Sequence, residues 1–133
     1  MSPKEIVEKM ISEDSFSKWL KLNIINIKKG SCTLKTTINK EMTNGFNLSH
    51  GGICFSIADS CLAFAANSYG KITLTKSAEI HFIKKVNLND TIVANCHHSL
   101  KDENNFSVEL TNQHHEKIAN FIGLVPFTNE GWS

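Results

Sequence analysis

A polar loop, Asn44-Gly-Phe-Asn-Leu-Ser-His50, runs into Gly51-Gly52, and the apolar stretch that follows holds a single carboxylate, Asp59. If that stretch is helical, its first backbone N–H groups lack intrahelical partners and sit at the positive pole of the helix dipole. Such an end can receive a developing oxyanion, with the N–H of Gly51 as donor. Asp59 follows eight residues later, about 12 Å further along a helix axis, and its side chain leans back toward the N-terminus. With Phe55 one turn before it and Ala63 one turn after, it is a lone acid among apolar groups. An ionised Asp in this place could act as general base on a water or as nucleophile on an acyl carbon. Each feature alone has a plainer reading: the acid could be bonded to a neighbouring chain, and the glycines could be a tight entry turn. Together they point to an enzyme acting on an acyl group.

The elements around this stretch must hold it. Residues 53–66 are apolar on most sides, as expected of a helix enclosed by other structure, and the spacing predicts a central helix over about 50–68 that ends near Gly70, a suitable C-cap. Its flank of Gly52, Ser56, Asp59, Ala63 and Ala66 is built of small groups that let a backbone or a thin ligand come close. Upstream, Pro3 and the spacing of Ile6, Val7, Met10 and Ile11 predict an N-terminal helix over about 3–20, with Phe16, Trp19 and Leu20 forming a second short piece at its end. Residues 22–28 and 31–38 alternate as strands about a Lys29-Gly30 turn. Four further strand-like runs follow the central helix, over 72–84, 90–100, about 106–110 and 119–125, and the tail from Pro126 is expected to be loose, with Trp132 as its anchor. The whole of 1–133 reads as one domain.

Composition narrows the partners. The formal net charge is +1, and all 14 basic residues are lysines. Without arginine the bidentate recognition of guanine or phosphate is missing, so nucleic acid is not an expected partner. No segment reaches the roughly 18 uncharged apolar residues of a membrane span, and the N-terminus lacks an apolar leader core. Cys32, Cys54, Cys61 and Cys96 show no C-x-x-C spacing and read as reduced, buried thiols of a cytoplasmic protein.

Asn44-Gly45, His50-Gly51-Gly52, Phe55-Ser-Ile-Ala-Asp59 and Asn67-Ser68 with Gly70 resemble the hot-dog-fold acyl-CoA thioesterases, and within them the phenylacetate-pathway (PaaI-type) branch. The likeness is specific over about 44–70 and collinear through Ile80-His-Phe-Ile83 to about Val125. It implies an α+β hot-dog fold, an antiparallel sheet of five or six strands wrapped around one long central helix, assembled as a homodimer at least and a homotetramer in the usual case. It implies hydrolysis of acyl-CoA thioesters, phenylacetyl or other aryl types first and medium-chain types next, with no cofactor, CoA being part of the substrate. By the same likeness Asp59 activates water or attacks, the Gly51 N–H polarises the thioester carbonyl, and Asn44 holds the thioester or the water. His50 and Gly52 shape the helix entrance, and Asp59 of one chain works with Asn44 and Gly51 of its partner. A further hydroxyl of related enzymes falls seven residues before Phe82, on Thr75; alternation puts Thr75 opposite Ile80 and Phe82, so its approach requires a bulge or a different face. Ser60, adjacent to Asp59, is a second candidate. Where many members carry Arg-Pro this chain has Lys84-Lys85, and Lys84 could meet CoA phosphates as a point charge. The alternative reading is a non-catalytic acyl- or CoA-binding hot-dog module.

Other chemistries fit less well. His97-His98 and His114-His115 have no consistent spacing with the cysteines, and in a strand adjacent residues point to opposite faces, so no metal site is expected. His81-Phe82 lacks the proline-glycine continuation of hot-dog dehydratases, and Phe64 stands where hydratase relatives want a histidine. No Gly-x-Ser-x-Gly elbow is present, which removes the α/β-hydrolase route.

Overall fold

The computed structural model describes all 133 residues. Its first helix, α1 (Pro3–Ser12), begins at a capping box: Ser2 Oγ accepts from Glu5 N at 3.2 Å, and Glu5 Oε1 accepts from Ser2 N at 3.0 Å. Ile6 and Val7 are its buried residues. The N-terminal helix expected over about 3–20, with a second short piece at its end, is two separate helices. Asp14 caps a fresh start, its Oδ1 accepting from Ser17 N at 2.9 Å, and α2 (Ser15–Trp19) follows.

Strands β1 (Asn23–Lys28) and β2 (Ser31–Thr37) form a hairpin whose turn uses Gly30 at φ 79°, a left-handed conformation that glycine adopts without a Cβ penalty. Cys32, Leu34, Thr36 and Ile38 all point inward and are buried. A short 3-10 turn, Lys40–Met42, leads through the loop to α3 (Gly51–Asn67). Then come β3 (Lys71–Thr73), β4 (Ser77–Phe82), β5 (Thr91–His98), β6 (Asn105–Thr111), β7 (Lys117–Leu124) and β8 (Phe127–Gly131).

Six strands make one sheet in the order β1-β2-β5-β6-β7-β4, every pairing antiparallel. Helix α3 packs across β2, β5, β6 and β7, and its Ile57, Cys61, Leu62 and Phe64 meet Leu34, Ile92, Leu110 and Phe121 in one buried cluster. Full burial of each such side chain contributes roughly 1.5–3 kcal/mol. Gly123 sets how near α3 lies to β7, because a Cβ there would fall 2.4 Å from Leu62 Cδ1.

Two expectations change. The run over 72–84 is not one strand: β3 pairs with β8 in a separate two-stranded sheet, and β4 pairs with β7 at the edge of the main one. The chain crosses between them at residues 74–76, with Leu74 76% exposed and Lys76 N bonded to Leu124 O at 2.8 Å. The tail is ordered as β8. Phe127 anchors it within an aromatic group formed with Tyr69, His98 and Phe106, and Trp132 Nε1 donates to Asn67 Oδ1. No helix is long and apolar enough to cross a membrane.

All four cysteines are free and buried. Burial pushes the Cys54, Cys61 and Cys96 thiols up, which leaves little nucleophilic thiolate. A thiol reagent at about pH 8 is therefore expected to titrate none of them promptly in the native protein and all of them in denaturant. Prompt reaction of any thiol in the native state would contradict this packing.

Candidate active site

The site begins where α3 begins. His50 is its N-cap residue, in extended backbone, and His50 Nδ1 accepts from Gly52 N at 3.2 Å. A ring accepting at Nδ1 carries no proton there, so the imidazole satisfies one of the orphan donors of the helix start. Ser56 Oγ donates to Gly52 O at 2.7 Å. The N–H of Gly51 bonds to nothing in the chain and stays open. The Phe82 ring lies beside it, 3.3 Å from where a Cβ on residue 51 would stand. A cleft of about 290 Å³ reaches Gly51 between Cys54, Phe82 and Val86, with Lys84 and Lys85 also on its wall.

Asp59 is half-buried on the side of α3 that the sheet leaves uncovered. Thr75 Oγ1 donates to Asp59 Oδ1 at 2.9 Å, and Oδ2 receives no hydrogen bond from the chain. The turn-out at residues 74–76 supplies the different face that strict alternation denied to Thr75. One carboxylate oxygen is thus oriented and the other is available to a water or a carbonyl carbon.

Asn44 lies at the exposed loop before α3. Its Oδ1 accepts from Phe46 N at 2.9 Å and Leu48 N at 3.3 Å, an Asx-type closure of the loop, so only its amide N–H groups remain to offer a ligand. The loop raises Phe46 at its tip, 83% exposed.

Two candidates are engaged elsewhere. Ser60 Oγ lies 3.1 Å from Ser17 Oγ, whose own proton goes to Asp14 Oδ2 at 2.6 Å. Ser60 must therefore donate to Ser17, tying α3 to α2 rather than facing Asp59's ligand. Lys84 pairs with Glu116, and the Lys84 ammonium with the Asn112 amide holds the Glu116 carboxyl below its usual range. No group of His, Cys, Asp or Glu side chains has metal-holding geometry. The sequence reading used Asn67 only as part of the family likeness and missed its bonding as a buried amide under β3, and the tail that reaches it.

A conserved-family model, the thioesterase superfamily, matches residues 46–118. The span contains Gly51, Asp59 and Thr75 together with α3 and strands β3 to β6. The chain belongs to the thioesterase superfamily. It is a thioester hydrolase, and its relatives agree with the geometry. The acyl-coenzyme A thioesterase PaaI of Escherichia coli K12 is 31% identical over 116 residues, 86% of this chain and 83% of that one. The solved structure of the E. coli PaaI protein, from the phenylacetic acid degradation operon, superposes with a TM-score of 0.91 at 26% identity, covering 97% of this chain and 95% of its own. A hypothetical thioesterase protein of Streptococcus pneumoniae TIGR4, solved with coenzyme A, has a TM-score of 0.84 at 19% identity over 92% of this chain and 98% of its own. The hot-dog fold of this superfamily, one helix in an antiparallel six-stranded sheet, is the fold seen here.

The two hydroxyls nearest Asp59 in sequence and space are expected to behave oppositely. Thr75→Val removes the only donor to Asp59 and is expected to lower thioester turnover about tenfold or more while the fold survives. Ser60→Ala is expected to cost roughly 1 kcal/mol of stability with turnover held within about twofold. Thermal melts and steady-state rates on the two variants check the contrast.

Proposed function

We propose that the protein hydrolyses acyl-CoA thioesters to the free acid and CoA, with phenylacetyl-CoA and its ring-hydroxylated relatives as the first substrate class and medium-chain or other aryl thioesters as the next. One observation carries this reading: a single helix presents an unspent N–H at Gly51 and a carboxylate at Asp59 with one oxygen held and one free. The likeness to the E. coli acyl-coenzyme A thioesterase supports the CoA ester over other thioesters, and coenzyme A in the S. pneumoniae protein agrees with it.

In this reading the Gly51 N–H donates to the thioester carbonyl oxygen and to the oxyanion that grows there. Asp59 takes a proton from a water whose oxygen bonds to the carbonyl carbon. The C–S bond then breaks, and the CoA sulfur leaves as thiolate and takes up the proton held on Asp59. In the nucleophilic variant, Asp59 itself bonds to that carbon, the C–S bond breaks to leave an acyl–Asp59 anhydride and CoA thiolate, and water then opens the anhydride to free acid and the Asp59 carboxylate. Asn44 orients the thioester or the water through its amide N–H groups. His50 and Gly52 hold the helix entrance in shape, and Lys84 meets CoA phosphate only by releasing Glu116.

One protomer cannot perform both halves of this step on one carbonyl. About 12 Å of helix rise separates Gly51 from Asp59, whereas the attacking and accepting groups must lie within about 3–3.5 Å of the reacting atoms. We therefore place each site between two chains, Asp59 from one and Gly51 with Asn44 from the other, in a homodimer at least and a homotetramer as the larger assembly. The uncovered side of α3 and the exposed Phe46, Phe82 and Ile83 support such a seam. Four buried, unpaired thiols support a reducing, cytoplasmic setting.

The test is free-thiol release from phenylacetyl-, hydroxybenzoyl-, short- and medium-chain acyl-CoA by wild type and Asp59→Asn. The variant is expected to lose on the order of 10²–10⁴-fold in rate with its oligomer intact. Full activity in Asp59→Asn overturns the assignment, and a folded wild-type oligomer that binds but turns over none of the panel points to an acyl- or CoA-binding module. Mixing inactive Asp59→Asn with inactive Asn44→Ala is expected to restore activity through hybrid dimers; failure of subunits that do exchange to recover it sinks the shared site.

A further inference from the structure

Thr75 stands between two fixed points. On its C-terminal side Lys76 N is bonded to Leu124 O at 2.8 Å. On its N-terminal side Thr73 is gripped by Asn67, a side chain that is 1% exposed. Asn67 Oδ1 accepts from Thr73 N and from Trp132 Nε1, both at 3.0 Å, and Asn67 Nδ2 donates to Ala63 O at 2.8 Å and Thr73 O at 3.3 Å. Every donor and acceptor of the amide is used, so its orientation is set from all sides. One of those four bonds comes from the last turn of chain. Trp132 N also donates to Gly70 O at 3.1 Å, Thr128 Oγ1 donates to Ile72 O at 2.5 Å, and the Lys9 ammonium sits 5.9 Å from the Trp132 ring centroid.

Asn67 lies two turns beyond Asp59 on the same rigid helix. A closed loop of contacts therefore runs from Asp59 along α3 to Asn67, across to Thr73, and back through Thr75 to Asp59 Oδ1. We infer that β8 and Trp132, acting through Asn67 and β3, form a clasp that positions the Thr75 hydroxyl on Asp59. Trp132 and Asn67 are positioning residues; neither touches the reacting atoms. The inference rests on the assignment of Asp59 and Thr75 to the hydrolytic step.

Trp132→Phe keeps an aromatic ring beside Lys9 and leaves the β8 backbone unchanged, and it removes the indole N–H together with its five-membered ring. With phenylacetyl-CoA and octanoyl-CoA as substrates it is expected to lower kcat roughly three- to tenfold, the worth of one hydrogen bond, with KM nearly unchanged. In a Thr75→Val background the same substitution is expected to cost nothing more, since its route is already cut. Equal losses in both backgrounds, a loss that falls on KM rather than kcat, or a lower melting temperature with kcat unmoved, overturn the clasp. Thr128→Val, which gives up the bond to Ile72 O, carries the same cycle if Trp132→Phe fails to fold. If Asp59→Asn is fully active the catalytic assignment falls; if it is dead and the cycle is additive, only the clasp falls.

Discussion

Enclosing a helix that is apolar on most of its sides is the constraint from which the rest of this molecule follows. Ile57, Ala58, Cys61, Leu62, Ala65 and Ala66 are all buried, and they can leave water together only if a sheet bends over the helix from several directions. A six-stranded antiparallel sheet does so, and Gly123 lets it come close. One stripe remains uncovered, running through Gly52, Ser56, Asp59 and Ala63. In our reading the chemistry lies on that stripe, because polar groups can exist there without being stranded in a dry core.

In the same reading the enclosure divides the labour of hydrolysis along the helix. Its start holds the donors: His50 occupies the Gly52 N–H and leaves that of Gly51 unspent. Its middle holds the carboxylate, oriented by Thr75. Neither location is free to slide, since α3 is gripped by the core on most sides and by Asn67 and Ser68 at its far end. Ser68 Oγ, accepting from Gly30 N at 2.8 Å, ties that end to the β1–β2 turn. Rigid separation of the two functions is what makes a second chain necessary in our reading.

The sequence showed those parts whose physics is local. The glycine pair before a long apolar run, the alternation in β2 and the turn at Lys29-Gly30 each depend on near neighbours, and each stands where it was expected. The strand break at residues 74–76 was hidden because the polarity pattern of β3 and β4 continues across it; what parts them is a change of partner, β8 for one and β7 for the other. Ser60 looked like a site residue because adjacency in sequence is blind to the 100° turn between helix neighbours, and Ser17, 43 positions away, claims it. Asn67 stood in the sequence only as part of the family likeness near a helix terminus. Its fourfold bonding depends on Trp132, 65 residues distant, and the tail read as loose because its own short strand is meaningless without β3.

The strand order also sets how far along the chain the site must reach to be complete. The β1–β2 hairpin and the helix that carries Asp59 are built from contacts among near neighbours in sequence. Thr75, however, is tied on one side to β8 through β3 and on the other to Leu124 at the end of β7. Contacts of such long sequence separation are the slow ones to close in folding. Thr75 therefore meets Asp59 only once both of those distant pairings have been made.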